Sequence, residues 1–239
     1  MIPWEHFGIV VAVEFAGFVL AALARRARPA EALRILATSA VVGIPLGFCF
    51  DFIIGGRLAV FGYEPLTHGW IFLLANDALS YGIALATIWL VPLTFREVRV
   101  SGARRFAAGA AMALAFLLLV FAAARGSLGS LVLSGAAVLL LTEAVASLSG
   151  YSGVLEDSLR GHRSPLLRIW LASIALGLLY ETANALFPIW RWHALLGWAP
   201  VPKEALIILF GYFVLAYPMA LAAALLDRAR SAPRHGIAS

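Results

Sequence analysis

The chain reads as long apolar runs broken by short polar punctuation. Each run is about 20 residues, the length of α-helix that crosses roughly 30 Å of hydrocarbon. The pattern predicts seven spans, at about residues 4–24, 32–55, 69–95, 106–124, 128–148, 166–187 and 202–226. The ten-residue alternating segments of a β-barrel do not occur. The fold class is therefore all-α, one polytopic transmembrane domain over residues 1–239.

Polar residues interrupt the apolar runs at few places, and those places recur. Glu14 and Glu143 are 129 apart, Asp51 and Glu181 are 130 apart, and the pairs Gly69–Trp70 and Gly197–Trp198 are 128 apart. The last register lays Asn76 on Glu204. Spans 1–3 (about 4–95) and 5–7 (about 128–226) then read as two parallel three-helix repeats. Span 4 (about 106–124) links them, because an odd number of spans per copy would otherwise invert the second copy. In parallel repeats the polar site tends to lie where the halves meet.

Composition agrees with a membrane protein. The chain is 62% hydrophobic and 13% charged, with a mean hydropathy of +0.92; soluble domains carry about 25% charged residues. The net charge of +5 is a topology signal rather than a nucleic-acid signal. Fourteen of the 18 cations fall on the side of the loops after spans 1, 3 and 5 and the tail after span 7. By the positive-inside rule the N-terminus is outside and the C-terminus cytoplasmic. The expected location is a bacterial inner (plasma) membrane. Glu5 and Glu14 interrupt the first run, so it is expected to remain as a span rather than act as a signal peptide. Cys49 stands alone and forms no intrachain disulfide.

Ionisable side chains at membrane depth are costly to keep and so are candidate site residues. Asp51 and Glu181 are the first candidates for a general acid, with Asp77 and Glu204 next. A carboxyl in an apolar site keeps its proton and can donate it at neutral pH. The structural role beside this one is an interhelical hydrogen bond. For Glu204, at the start of span 7, it is a cap on the helix dipole. Asn184 lies one turn from Glu181 and is placed to orient its carboxyl. Tyr63, Trp70, Trp190, Trp192 and Trp198 form an interfacial belt or line a cavity where their faces stabilise a cation. Glu14 and Glu143 make a second matched pair, with a supporting or structural contact as their expected part. The polar stretch with Glu156, Asp157, Arg160, His162 and Arg163 reads as a solvated charged loop. Neither phosphate-binding glycine motif occurs, nor any spacing that would hold a metal. No metal and no cofactor are expected.

Two segments carry a resemblance: FDFIIGGRLAVFGYEPLTHGWIFLLANDALSYG in the first half, and YETANALFPIWRWHALLGWAPVPKEALIILFGYF in the second. An acid after an aromatic, a Gly- and aromatic-rich loop, then a polar start to the next span occurs in each. This resembles the lycopene cyclase domain of integral-membrane carotenoid cyclases. Asp51 after Phe50 and Glu181 after Tyr180 match that family's first acid, and Pro202-Lys203-Glu204 matches its Pro-x-Glu-Glu element in part. Tyr180–Glu181 with Pro188 is also similar to the small membrane terpene cyclases. The resemblance implies cofactor-independent, proton-initiated cyclisation or related alkene chemistry on a hydrophobic isoprenoid. Asp51, Glu181, Asp77 and Glu204 would carry the acid–base work. Asn76, Asn184, Tyr180, Tyr63, Trp70, Trp190, Trp192, Trp198, Glu14 and Glu143 would surround the substrate.

Two other classes stand beside an enzyme: a small-molecule or proton-coupled carrier, and a non-catalytic lipid-binding protein. A retinal protein needs a lysine deep in its last span, and the only lysine, Lys203, starts that span.

Overall fold

The computed structural model describes residues 4–57, 61–63, 69–124, 127–192 and 203–231. Seven of its helical segments are long and apolar enough to cross a membrane. The first two spans are α1 (Trp4–Arg25) and α2 (Pro29–Phe48), which runs on as a π-helical segment, Cys49–Arg57. The third is composite: α3 (Gly69–Asn76), a π-turn (Asp77–Tyr81) and α4 (Gly82–Leu90). Next come α5 (Gly102–Ala123), α6 (Ser127–Leu148), the short α7 (Val154–Leu159) and α8 (Ser164–Leu186). The seventh span is again composite: α9 (Lys203–Leu206), a π-turn (Ile207–Gly211) and α10 (Tyr212–Ser231). Two short strands, β1 (Phe61–Tyr63) and β2 (Trp190–Trp192), close one end of the bundle.

The third span stops at Leu90, five residues before the expected end. Val91 is extended (φ −69°, ψ 130°) because it precedes Pro92, which disfavours the helical conformation before it. The expected loop after the fifth span is also corrected. Arg160, His162 and Arg163 are exposed as expected, but Glu156 and Asp157 belong to α7, held by ion pairs beside a bridge between Glu97 and Tyr151.

Close approach of α2 to the third span depends on small residues. A Cβ on Gly43 would lie 2.6 Å from the Gly82 amide nitrogen, and one on Gly82 would lie 2.8 Å from the Ala40 Cα. Ser39, Gly43 and Gly47 recur every four residues along one face of α2, the spacing by which membrane helices bring backbones together. Below that contact α4 and α10 pack against each other, with Leu85, Ile88, Tyr217 and Met219 wholly buried.

Local features recur along the chain. The two π-turns, at Asp77–Tyr81 and Ile207–Gly211, are 130 residues apart, the offset of Asp51 and Glu181. At that offset Asn76 falls opposite Leu206, two residues past Glu204. The strands β1 and β2 are 129 apart and pair antiparallel, Phe61 with Trp192, Gly62 with Arg191 and Tyr63 with Trp190. That register maps onto itself when the strands are exchanged.

Candidate functional site: an acid–tyrosine chamber

The π-turns put side chains where a regular α-helix would not, a common feature of functional sites. Around Asp51 the structure gathers Tyr63 from β1, Asn76 from α3 and Tyr81 from the first π-turn. Tyr81 Oη donates to Asp51 Oδ1 at 2.6 Å, and Tyr63 Oη donates to Oδ2 at 2.7 Å. Asn76 Nδ2 reaches both Asp51 Oδ2, at 3.1 Å, and Tyr63 Oη, at 2.8 Å. Asp77 is hydrogen-bonded to Asp51 as well. A carboxylate only accepts, so that bond needs a proton on one of the two acids. Asp77 Oδ1 has no partner and points into the notch left by Gly47.

Glu181 has a parallel setting. Tyr212 Oη donates to Glu181 Oε1 at 3.0 Å, and Trp190 Nε1 approaches the same oxygen at 3.4 Å. Tyr212 follows Tyr81 by 131 residues. Tyr180 Oη donates to the Ser80 carbonyl at 3.0 Å and so ties α8 to the first π-turn. Glu14 lies beside the Ser80 side chain, but neither of its oxygens is in a well-formed hydrogen bond. Among the described residues, no Lys or Arg stands against Asp51, Asp77 or Glu14.

These groups back a cavity of about 590 Å³ between α6, the third span and the seventh. Its wall carries Tyr63, Asn76, Ser80, Tyr81, Tyr180, Trp190 and Tyr212; the carboxyls of Asp51 and Glu181 lie behind that layer. The rest is apolar, with small residues Gly135 and Ala136 on α6. The chamber therefore presents tyrosine hydroxyls and ring faces, and the hydroxyls of Tyr63, Tyr81 and Tyr212 are each linked to an acid. Such a link can pass a proton between chamber and carboxyl, and the ring faces attract a cation.

The structure brings together Asp51, Asp77, Asn76, Tyr63, Glu181, Tyr180, Trp190 and Glu14 among the expected residues. It leaves out Glu143, which lies toward the arginine-rich end. There Glu143 Oε1 accepts from the Leu155 amide at 2.9 Å and from Tyr217 Oη at 2.6 Å, capping α7. Asn184 is spent on backbone rather than on Glu181: its Oδ1 accepts from the Ile189 and Trp190 amides at 2.8 and 3.0 Å, shaping the turn into β2. Trp198 lies outside the described residues, as do the side chains of Trp70, Trp192 and Glu204. Tyr81 and Tyr212 were not among the expected residues. Their spacing, one residue off that of the acids, was the signal that could have found them.

Comparisons with family models, with curated proteins and with solved structures return no match.

Proposed function

We propose that this protein is an integral-membrane enzyme of isoprenoid or carotenoid metabolism, similar in its chemistry to membrane lycopene and terpene cyclases. One observation carries the reading: an apolar chamber whose wall holds three tyrosines, Tyr63, Tyr81 and Tyr212, hydrogen-bonded to buried acids. The pair Asp51–Asp77, through Tyr81, gives a proton to a terminal alkene carbon of the bound chain. The resulting cation is shielded by the rings of Tyr63, Tyr180 and Trp190 while an internal double bond closes on it. Glu181, through Tyr212, takes a proton from the neighbouring carbon. One proton enters and one leaves, so the product is an isomer and no cofactor or metal is consumed. Removal of water from the chamber keeps the cation from being trapped as an alcohol.

The two halves of the bundle, spans 1–3 and 5–7, are on this reading diverged copies, with the acids Asp51 and Glu181 as counterparts. The matched π-turns and the exchangeable strand register support it. A proton-coupled carrier is the second reading, favoured by the same buried acids. The filled core of Leu85, Ile88, Tyr217 and Met219 beneath the chamber weighs against a path to the far end.

Expression in cells that accumulate linear carotenoids tests the proposal. A cyclised or otherwise isomerised pigment is expected. Unchanged pigment counts against carotenoid cyclisation. Normal turnover by Asp51→Asn and Glu181→Gln, on whatever polyene is accepted, sinks the acid mechanism.

A further inference from the structure

The chamber reaches the outer surface of the bundle on one flank. Val132 on α6 and Phe210 on the second π-turn both line it, and each is 61% exposed. On a membrane-spanning helix that surface faces acyl chains. Between them the wall of α6 is low. Gly135 and Ala136 line the chamber there with almost no side chain; a Cβ on Gly135 would already touch Val214, at 3.6 Å, so larger side chains would project into the space. At the roughly 30 Å³ a water molecule occupies in the liquid, the cavity holds about 20 carbon-sized groups. That is one end of a long lipid, with the remainder left in the bilayer.

Charge narrows the class further. No Lys or Arg lines the chamber among the described residues. Behind the wall stand Asp51, Asp77 and Glu14, the last with both oxygens buried and unpartnered. An anionic head group entering here would lose its water and meet acceptors instead of cations, a costly arrangement. A hydroxyl, carbonyl or alkene would meet Tyr63, Asn76, Ser80 and Tyr81, which can donate or accept. We infer that the chamber takes the uncharged end of a long-chain lipid, sideways from the bilayer between α6 and the second π-turn, and rejects the same chain bearing a diphosphate or carboxylate. The inference rests on the proposed function for the site and adds its substrate class. It also sets a place in a reaction sequence: an earlier step must have removed the charged head group, by condensation or by hydrolysis releasing diphosphate.

The test uses the full chain in lipid nanodiscs and a photoactivatable analogue of geranylgeraniol. Cross-links are expected on α6 near Val132 and on the Phe210 turn. Free geranylgeraniol should compete at least about tenfold better than geranylgeranyl diphosphate or geranylgeranic acid, the discrimination that an unpaired buried charge supplies. Gly135→Trp should cut labelling about tenfold by filling the chamber; if that variant does not fold, Ala136→Phe serves the same purpose. Equal or better competition by the diphosphate or the acid overturns the inference. So does labelling that falls outside the chamber or fails altogether. These results are separable from the acid mechanism. Normal turnover by Asp51→Asn would end that mechanism and leave the ligand preference standing, while a reversed preference would do the opposite.

Discussion

The two ends of the bundle use carboxyl groups in opposite ways. At the arginine-rich end every buried acid is compensated. Asp157 is gripped by Arg96 at 2.7 Å, and Glu156 by Arg104 at 2.6 Å and Arg160 at 2.9 Å. Glu143 caps α7 through backbone amides. At the strand end no cation stands against Asp51 or Asp77 among the described residues; tyrosines, an asparagine and each other hold them. The first arrangement spends its charges on fixing the chain. The second keeps acids in reserve, within reach of an apolar space. Removing a charge should therefore hurt stability at one end and chemistry at the other.

The sharpest break of that contrast is Asp51→Asn. It should lower turnover of an accepted polyene by on the order of 10²–10⁴, the worth of a positioned acid or base. Thermal unfolding in nanodiscs should move by only about 1 kcal/mol. A variant that unfolds before it loses activity would make Asp51 structural, like its counterparts at the far end. Gly153→Ala is the converse. Its new Cβ would sit on the Glu143 carboxyl and expel it from the α7 amides. A loss of about 3 kcal/mol or more is expected in the same unfolding measurement, with turnover per folded molecule unchanged.

Asp157→Asn should cost about 1–3 kcal/mol, since Arg96 then loses its anion and Asp157 is 3% exposed. Double mutation with Arg96→Met should recover part of it; strict additivity would show that the pair is not coupled. The smallest effect is pH. Burial pushes the Glu156 carboxyl up, but Arg104, Ser152 and Arg160 together hold it below its ordinary value of 4.5. Its contribution to stability is therefore complete above that value and is lost as pH falls through the lower, folded-state one. Wild type should lose stability over that range more steeply than Glu156→Gln. Parallel curves would show that the ion pairs add nothing.

The spans were legible because bilayer thickness writes itself into helix length. α1, α5, α6 and α8 begin and end within a few residues of the expected positions. Asp51, Asp77 and Glu181 stood out as acids in apolar runs, and they are the acids the structure places behind the chamber wall. The clasp around α7 did not, because its charges look like those of any polar loop; only the distant partners Arg96 and Arg104 reveal the difference. Tyr81 and Tyr212 were hidden in another way. Tyrosine is unremarked in a membrane helix, and which face it takes depends on π-turns that hydropathy does not encode. Glu143 misled because a repeat in sequence spacing matched it to Glu14, whereas depth along α6 sets it at the other end.

The strand pair adds a constraint of parity. Tyr63 reaches Asp51 from β1, and its position there is set by pairing with Trp190. Successive strand residues face opposite ways, so a slip of one position would turn the Tyr63 hydroxyl away from the acid, while a slip of two would restore its side but not its reach. Chain lengthened by one residue on either side of β1 or β2 is then not neutral even if every helix stays in place. The strands count residues for the site, and the count must stay in step.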